Sequence, residues 1–458
     1  MKKTIALVAA VVFVLGFAAS AFAIHAEIPA ETQAVVATGT TQITLGGEVR
    51  VRGWYKKNLD SGLGQDAKSS SYYDQRVRLS VDAKVSPNVQ AFIQLESEGS
   101  VPAFDNTNDK YIWGTSGGNS GFGNAKPKSD PDFLQAWILY TGQGLFGVPA
   151  GLKIGHMPLK LSYGQFFDHT QYGDDAMVFF VDPNKNMHIG VLTIKLAEFA
   201  TTDQTDDLDA YVALMTYKFS DAFKLGLNYT YLANSDLGFS QQNAGIHADG
   251  KIGGFGYKAA VDFQFGKILD DTDFEAKFKG YAASLYADYN INPVTLRGAA
   301  VYGSGQKEAD SDDIKEFTPY VGKSQNYAFI YEYQHRTTAF NPSGLNSALP
   351  SNGHAAGVAN TTYVNLGVDW KATKDVTLSA DGYYFWASKT GAFEDVTGDD
   401  VDKDAGWEID AKLKYQIAKN LVYQIDAGYF KAGSFYEDAY GIDTKGTTVL
   451  RHLIQLSF

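Results

Sequence analysis

The sequence predicts an all-β chain, a transmembrane antiparallel barrel of about 18 strands with 16 as the alternative. Three observations carry this. From residue 41 onward, apolar and polar residues alternate with a period of two in segment after segment. The connections between those segments mostly alternate between tight and long. Aromatic residues gather at segment ends, where a membrane-crossing strand meets water. Composition agrees: 458 residues, 14% aromatic, with 46 glycines for turns and only 12 prolines to interrupt ladders.

The chain opens with Lys2 and Lys3, then runs almost unbroken apolar from Ile5 to Ala19 and ends this stretch with Ala21-Phe22-Ala23. That is the pattern of a secretory signal peptide, residues 1–23, cleaved after Ala23. Residues 24–41 form an N-terminal segment in which Glu27 to Val36 can make a short helix, and 42–458 hold the barrel. No later run of 18 apolar residues exists. A secreted chain that spans a membrane without such a run does so as a closed barrel, because lipid leaves no backbone group free to go unpaired.

Strands are expected at 42–56, 71–85, 89–98, 132–141, 150–157, 176–182, 187–199, 207–219, 222–234, 241–250, 254–267, 276–290, 294–304, 358–371, 375–388, 404–418, 420–433 and 446–458. In the first, Ile43, Leu45, Val49 and Val51 alternate with Thr44, Glu48, Arg50 and Arg52; in the second, Val77, Leu79 and Val81 alternate with Arg76, Arg78 and Asp82. Tight connections include Ser86-Pro87-Asn88 and Ala418-Lys419-Asn420; long polar ones include 57–70, 99–131, 158–175, 305–357 and 389–403. Pairs such as Trp54-Tyr55, Tyr72-Tyr73, Tyr383-Tyr384 and Tyr429-Phe430 supply two aromatic girdles. Asn326 to His335 reads as strand-like inside the longest connection.

The last strand ends Leu450-Arg451-His452-Leu453-Ile454-Gln455-Leu456-Ser457-Phe458. With a terminal aromatic behind alternating apolar residues, it resembles the assembly signal of bacterial outer-membrane barrels. With the leader and strand layout, the chain resembles a Gram-negative porin. Its layout is similar to the 18-stranded substrate-selective and alginate-export-type channels. The resemblance implies an integral outer-membrane location, contact with lipid and lipopolysaccharide, and recognition of Phe458 by the barrel-assembly machinery. It also implies a water-filled channel for small hydrophilic solutes and ions, with homotrimers among the assemblies it allows. A selective or polysaccharide-export channel is the alternative.

If the apolar faces touch lipid, the polar faces line a lumen. Arg50, Arg52, Arg76, Arg78 and Arg451 come from the first two strands and the last, and form one basic wall. Glu96, Glu98, Asp209, Asp262, Asp288, Asp369, Asp381 and Asp426 lie elsewhere around the circumference, so the two sets would set up a transverse field. The connection 158–175 is the expected constriction loop. It holds Lys160, Tyr163, Gln165, Phe166, Phe167, Asp168, His169, Tyr172, Asp174 and Asp175, and so many rings favour packing inward with the acids facing the arginines. The 305–357 connection is the rival plug.

Other chemistries find no support. With no cysteine there are no disulfides, thiolate zinc sites or iron–sulfur clusters. A net charge of -13 argues against nucleic acid. Gly142 to Gly147 spells a dinucleotide fingerprint, but a further strand follows where a helix is required. Gly114 to Gly118 spells a nucleophile elbow inside a Gly/Ser/Asn-rich loop. Asp400, Asp402 and Asp404 have the first three calcium-ligand spacings, but Gly406 stands one position late and Ala411 stands where the closing acid is needed. No enzyme activity, catalytic residue, cofactor or resident metal is expected.

Overall fold

The computed structural model describes residues 34–38, 41–59, 69–97, 113, 131–198, 207–236, 238–268, 275–309, 312–319, 321–322, 327–334, 337 and 357–458. The leader and the Gly114–Gly118 motif lie outside them.

Eighteen antiparallel strands close into a barrel. They are β1 (Thr41–Lys57), β2 (Ser69–Ser86), β3 (Val89–Glu96), β4 (Asp132–Gln143), β5 (Pro149–Met157) and β6 (Asp174–Asn184). Then come β7 (Met187–Ala197), β8 (Leu208–Ser220), β9 (Phe223–Asn234), β10 (Phe239–Ile252), β11 (Phe255–Ile268) and β12 (Tyr281–Ile291). The last are β13 (Val294–Gly303), β14 (Thr361–Lys371), β15 (Val376–Ala387), β16 (Asp404–Ala418), β17 (Leu421–Ala432) and β18 (Thr447–Ser457). Each strand pairs with its sequence neighbours, and β1 pairs with β18 from Glu48↔Ser457 to Lys57↔Thr448. The seam is finished by Phe458, whose N–H donates to Gly47 O at 2.9 Å while its carbonyl accepts from Gly47 N at 2.6 Å. Connections at one end of the barrel have two to five residues and those at the other are longer, apart from the four residues between β9 and β10, so the barrel has a short-turn end and a long-loop end.

The expected strands match closely, with two corrections at connections. The segment expected at 276–290 breaks at Lys279-Gly280 into Ala276–Phe278 and β12. A Cβ on Gly280 would stand 2.5 Å from Glu316 O, so the passing 303–361 loop needs a glycine there. Of the strand-like Asn326 to His335, the described residues 327–334 instead give a coil and a one-turn helix, α1 (Tyr331–Gln334), against the inner wall. At the N-terminus, Ala34–Thr38 pairs with Thr41 to Leu45 as a strand, which replaces the expected helix over its last residues.

The outward face is an apolar band. Leu79, Ile93, Ile138, Leu227, Ile246, Leu285, Leu296, Leu366 and Ile409 are all exposed there. Tyr55, Tyr73, Tyr211, Tyr229, Tyr384 and Tyr429 ring the long-loop end, and Tyr140, Phe219, Phe255, Tyr289, Trp370 and Tyr415 ring the other. In a soluble protein so continuous an apolar surface would drive aggregation; in a barrel it is the belt that lipid covers. The expectation that both members of adjacent aromatic pairs serve the girdles is corrected. Successive strand residues point to opposite faces, so Tyr384 points out while Phe385 is fully buried inside. Tyr383 and Phe430 likewise turn inward, and these rings receive the 303–361 loop.

Candidate functional site

The lumen wall is built from every second residue of each strand. From β17 through β18 and β1 to β3 it carries a ladder of paired charges. Arg451 donates to Asp426 at 3.0 Å. Arg52 and the Trp54 indole both donate to Asp74, at 2.6 and 2.8 Å. Arg76 donates to Glu48 at 2.5 Å, and Arg78 pairs with Glu96. Arg50 faces Arg76 directly across β1 and β2. The arginines therefore share one wall, as expected. The acids correct the sequence reading: Glu96 and Asp426 stand beside arginines on neighbouring strands and not across the lumen. Glu48 and Asp74, which the reading missed, complete the ladder. Their inward alternation with Arg50, Arg52, Arg76 and Arg78 was the available signal.

Of the other expected acids, Asp369 and Asp381 are brought together by Arg297 of β13, which sequence reasoning also missed. Its guanidinium reaches Asp369 at 2.8 Å and Asp381 at 2.7 Å, with a second bond to each. Such paired two-point contacts fix both carboxylates geometrically. Asp288 shares the inward register face of Ser284 on β12. Asp209 does not line the lumen. It lies on the face of β8 that carries exposed Tyr211, opposite fully buried Ala210. The inner face of β8 is apolar because a loop packs on it, so polarity points the wrong way. Glu98 lies outside the described residues.

Two loops fold into the lumen. The first, after β5, turns back on itself through a Lys160–Asp168 bridge sealed by an ion pair of 2.6 Å. Gly164 sits at its bend with φ +82°, a conformation that suits glycine. Phe166 and Phe167 are buried, and Phe167 lies against Val178, Leu192, Val212 and Leu214 of the β6–β8 wall, around a cavity of about 150 Å³. The tip crosses to β10 and β11: the Tyr163 hydroxyl donates to Ala248 O at 3.0 Å, and the Gln165 amide donates to Asp262 at 2.7 Å. The loop's acids do not face the arginines. Asp168 holds Lys160, Asp174 holds His169 at 2.6 Å, and Asp175 points outward with Met177, where it meets His156 at 2.9 Å. His156 and His169 thus serve separate carboxylates.

The second inward loop joins β13 to β14. Its coil at 327–331 lies on the β14–β17 wall, where Tyr331 stacks on Phe385 at 3.9 Å and Tyr327 on Tyr363 at 4.6 Å. Glu408, fully buried, accepts the backbone N–H groups of Phe329, Ile330 and Tyr331 at 2.7 to 2.8 Å. Phe329 also lies under the Arg451 guanidinium, 4.9 Å away, which joins plug and ladder. The two loops touch where Phe167-Asp168 pairs in parallel with Val321-Gly322. So the expected constriction loop and its rival both pack on the inner faces of strands and meet each other.

At the long-loop rim, Asp400, Asp402 and Asp404 do not converge. Asp402 accepts Asp404 N at 3.1 Å and Ser434 Oγ at 2.9 Å, while Asp404 accepts Gly406 N at 2.9 Å. Among the described residues, no three acids or histidines are grouped to hold a metal. Gly142 closes β4, and Gly144 and Gly147 form the turn to β5, as expected.

No protein-family model matches the chain, and no curated protein does. Solved structures do. OpdK of Pseudomonas aeruginosa, crystallised with vanillate, superposes with a TM-score of 0.53 at 10% identity, covering 90% of this chain and 98% of that one. OccD3 (OpdP) of the same organism gives 0.51 at 10% identity, with 93% of each chain covered. The outer membrane protein OprD of P. aeruginosa gives 0.51 at 11% identity, with 90% and 93% covered. A closed 18-stranded barrel with strands in sequence order is common ground at an identity too low to carry substrates across, and the chain thereby has the fold of the OprD-type outer-membrane porins.

Proposed function

We propose that the chain, freed of residues 1–23, sits in a bacterial outer membrane as a passive channel for small hydrophilic solutes and ions. One observation carries this: the arginine–carboxylate ladder on the inner wall, beside two loops that narrow the bore. Charges of both signs fixed on a low-dielectric wall beside water orient a polar solute and hinder an apolar one. The apolar outer band and its two aromatic rings support the location. The short-turn end would face the periplasm and the long loops the exterior. We read Phe458, whose ring packs over Gly47 on the outward edge of the seam, as the handle for the assembly machinery.

The polyanion-export alternative is weakened by the same ladder, because Arg52, Arg76, Arg78 and Arg451 are already matched by carboxylates. A solute-selective channel is favoured over a general one by the second inward loop, which leaves less free bore than one constriction would. Liposome swelling with sugars of graded size tests the reading. Swelling that falls smoothly with size supports a general channel, and swelling for one solute class supports a selective one. No swelling for any solute would refute a channel. Conductance steps in triples would assign a homotrimer; single steps would assign one barrel.

A further inference from the structure

The place where the first loop meets the wall is built like an ion site. Register puts Asn228, Gly245 and Asp262 in one row across β9, β10 and β11, and Thr230, Asn243 and Gln264 in the next. Gly245 has no side chain, and its neighbours lean over it: a Cβ there would stand 2.6 Å from Asn228 Nδ2 and 2.6 Å from Asp262 Oδ1. Gln165 closes the space from above. Asp262 is 2% exposed, and among the described residues its side-chain partners are two neutral amides, Asn243 at 2.8 Å and Gln165 at 2.7 Å. A carboxylate taken out of water with no positive partner is costly. Around it, Gln165 Oε1, Asn243 Oδ1, Thr230 Oγ1 and Asn228 Nδ2 are buried without a hydrogen-bond partner.

We propose that Asp262, with Asn228, Thr230, Asn243 and Gln165, binds one monovalent alkali cation that staples the constriction loop to the barrel wall. A half-turn of an amide exchanges its oxygen and nitrogen. Both amides now donate to Asp262, at 2.7 and 2.8 Å; so turned, their oxygens face its carboxylate and need move only a few tenths of an ångström outward to share one ion with it. The donors are all hard oxygens, which suits such a cation. One carboxylate balances one positive charge, whereas a divalent ion would leave an excess buried. This goes beyond the channel reading, since it concerns the loop's anchorage whatever solute passes.

Crystals of the detergent-solubilised protein soaked in thallous acetate should show an anomalous peak within coordination reach of Asp262 and Gln165. Thermal unfolding should occur several degrees higher in KCl or NaCl than in N-methylglucamine chloride of equal ionic strength. Asp262→Asn should remove that difference. Gln165→Ala, which leaves the wall strands intact, should at least halve it and serves should Asp262→Asn fail to fold. The absence of the thallous peak, or an alkali dependence unchanged in either variant, would overturn the proposal.

Discussion

From β17 round to β3, Arg52, Arg76, Arg78 and Arg451 each meet a carboxylate on a neighbouring strand. On β16, by contrast, Glu408 meets three backbone N–H groups of a loop, and on β11 Asp262 meets a loop glutamine. Both arrangements satisfy buried charge on the inner surface of one sheet. In the first, the sheet satisfies its own charges, and the plug contributes a ring, Phe329 over Arg451, and no polar partner among the described residues. In the second, the wall's own strands supply too few partners, and a loop becomes part of the wall. Where wall carboxylates lack neighbouring cations, groups of an inward loop become their partners; where they have them, side chains of the sheet itself match the charge.

The sharpest way to break this contrast is Glu408→Ala. Three loop N–H groups lose their acceptor at once, so the 327–334 coil should leave the wall. Single-channel conductance should rise several-fold, and an unchanged conductance would show that the rings alone hold the plug. Next comes neutralising Arg50, Arg52, Arg76 and Arg78 together. Glu48, Asp74 and Glu96 are then left unmatched, and cation over anion permeability should rise roughly tenfold or more, since a like-charged low-dielectric lining concentrates counter-ions. Reversal potentials under a salt gradient read this directly.

A smaller effect is expected at Gly53→Ala. Gly53 lies under the His452 ring, which itself packs edge-on to Tyr73 at 5.5 Å, and a Cβ would overlap that ring. Overpacking of this kind costs about 1–3 kcal/mol, read as a lower guanidinium midpoint with no change in conductance. The least effect is at the rim. The N–H of Asp404 and then the Ser434 hydroxyl hold the Asp402 carboxyl below its ordinary 3.8. The stability this adds is therefore present above 3.8 and lost as pH falls through the lower folded-state value. The protection of the Asp404 amide, its exchange rate relative to that of an unstructured amide at the same pH, should fall over that acid range, and Asp402→Asn should abolish that fall.

Strand positions were legible because one face of each strand meets lipid and the other meets polar groups, which prints a period of two. The same logic placed the five arginines on one wall. It failed where the inner face is itself apolar: at β8, Ala210 and Val212 point inward under a loop, so Asp209 was assigned to the wrong side. Partners were less legible than faces. Whether Arg78 meets Glu96 depends on register, which is a property of two strands together. Loop placement was only partly legible. The rings of 158–175 announced an inward fold, but its destination on β10 and β11 rests on Tyr163 and Gln165 finding Ala248 and Asp262. The coil that binds Glu408 alternates like a strand and gave no warning.

The seam between β1 and β18 sets the order of events in the protein's making. Each other strand can pair with its predecessor as soon as it emerges, but the first ribbon must wait for the last. Until β18 has paired with β1, the molecule is a curled ribbon with two raw margins, each able to capture a stranger's backbone. Loss of the last strand would thus leave almost every other rung intact and still forfeit the tube.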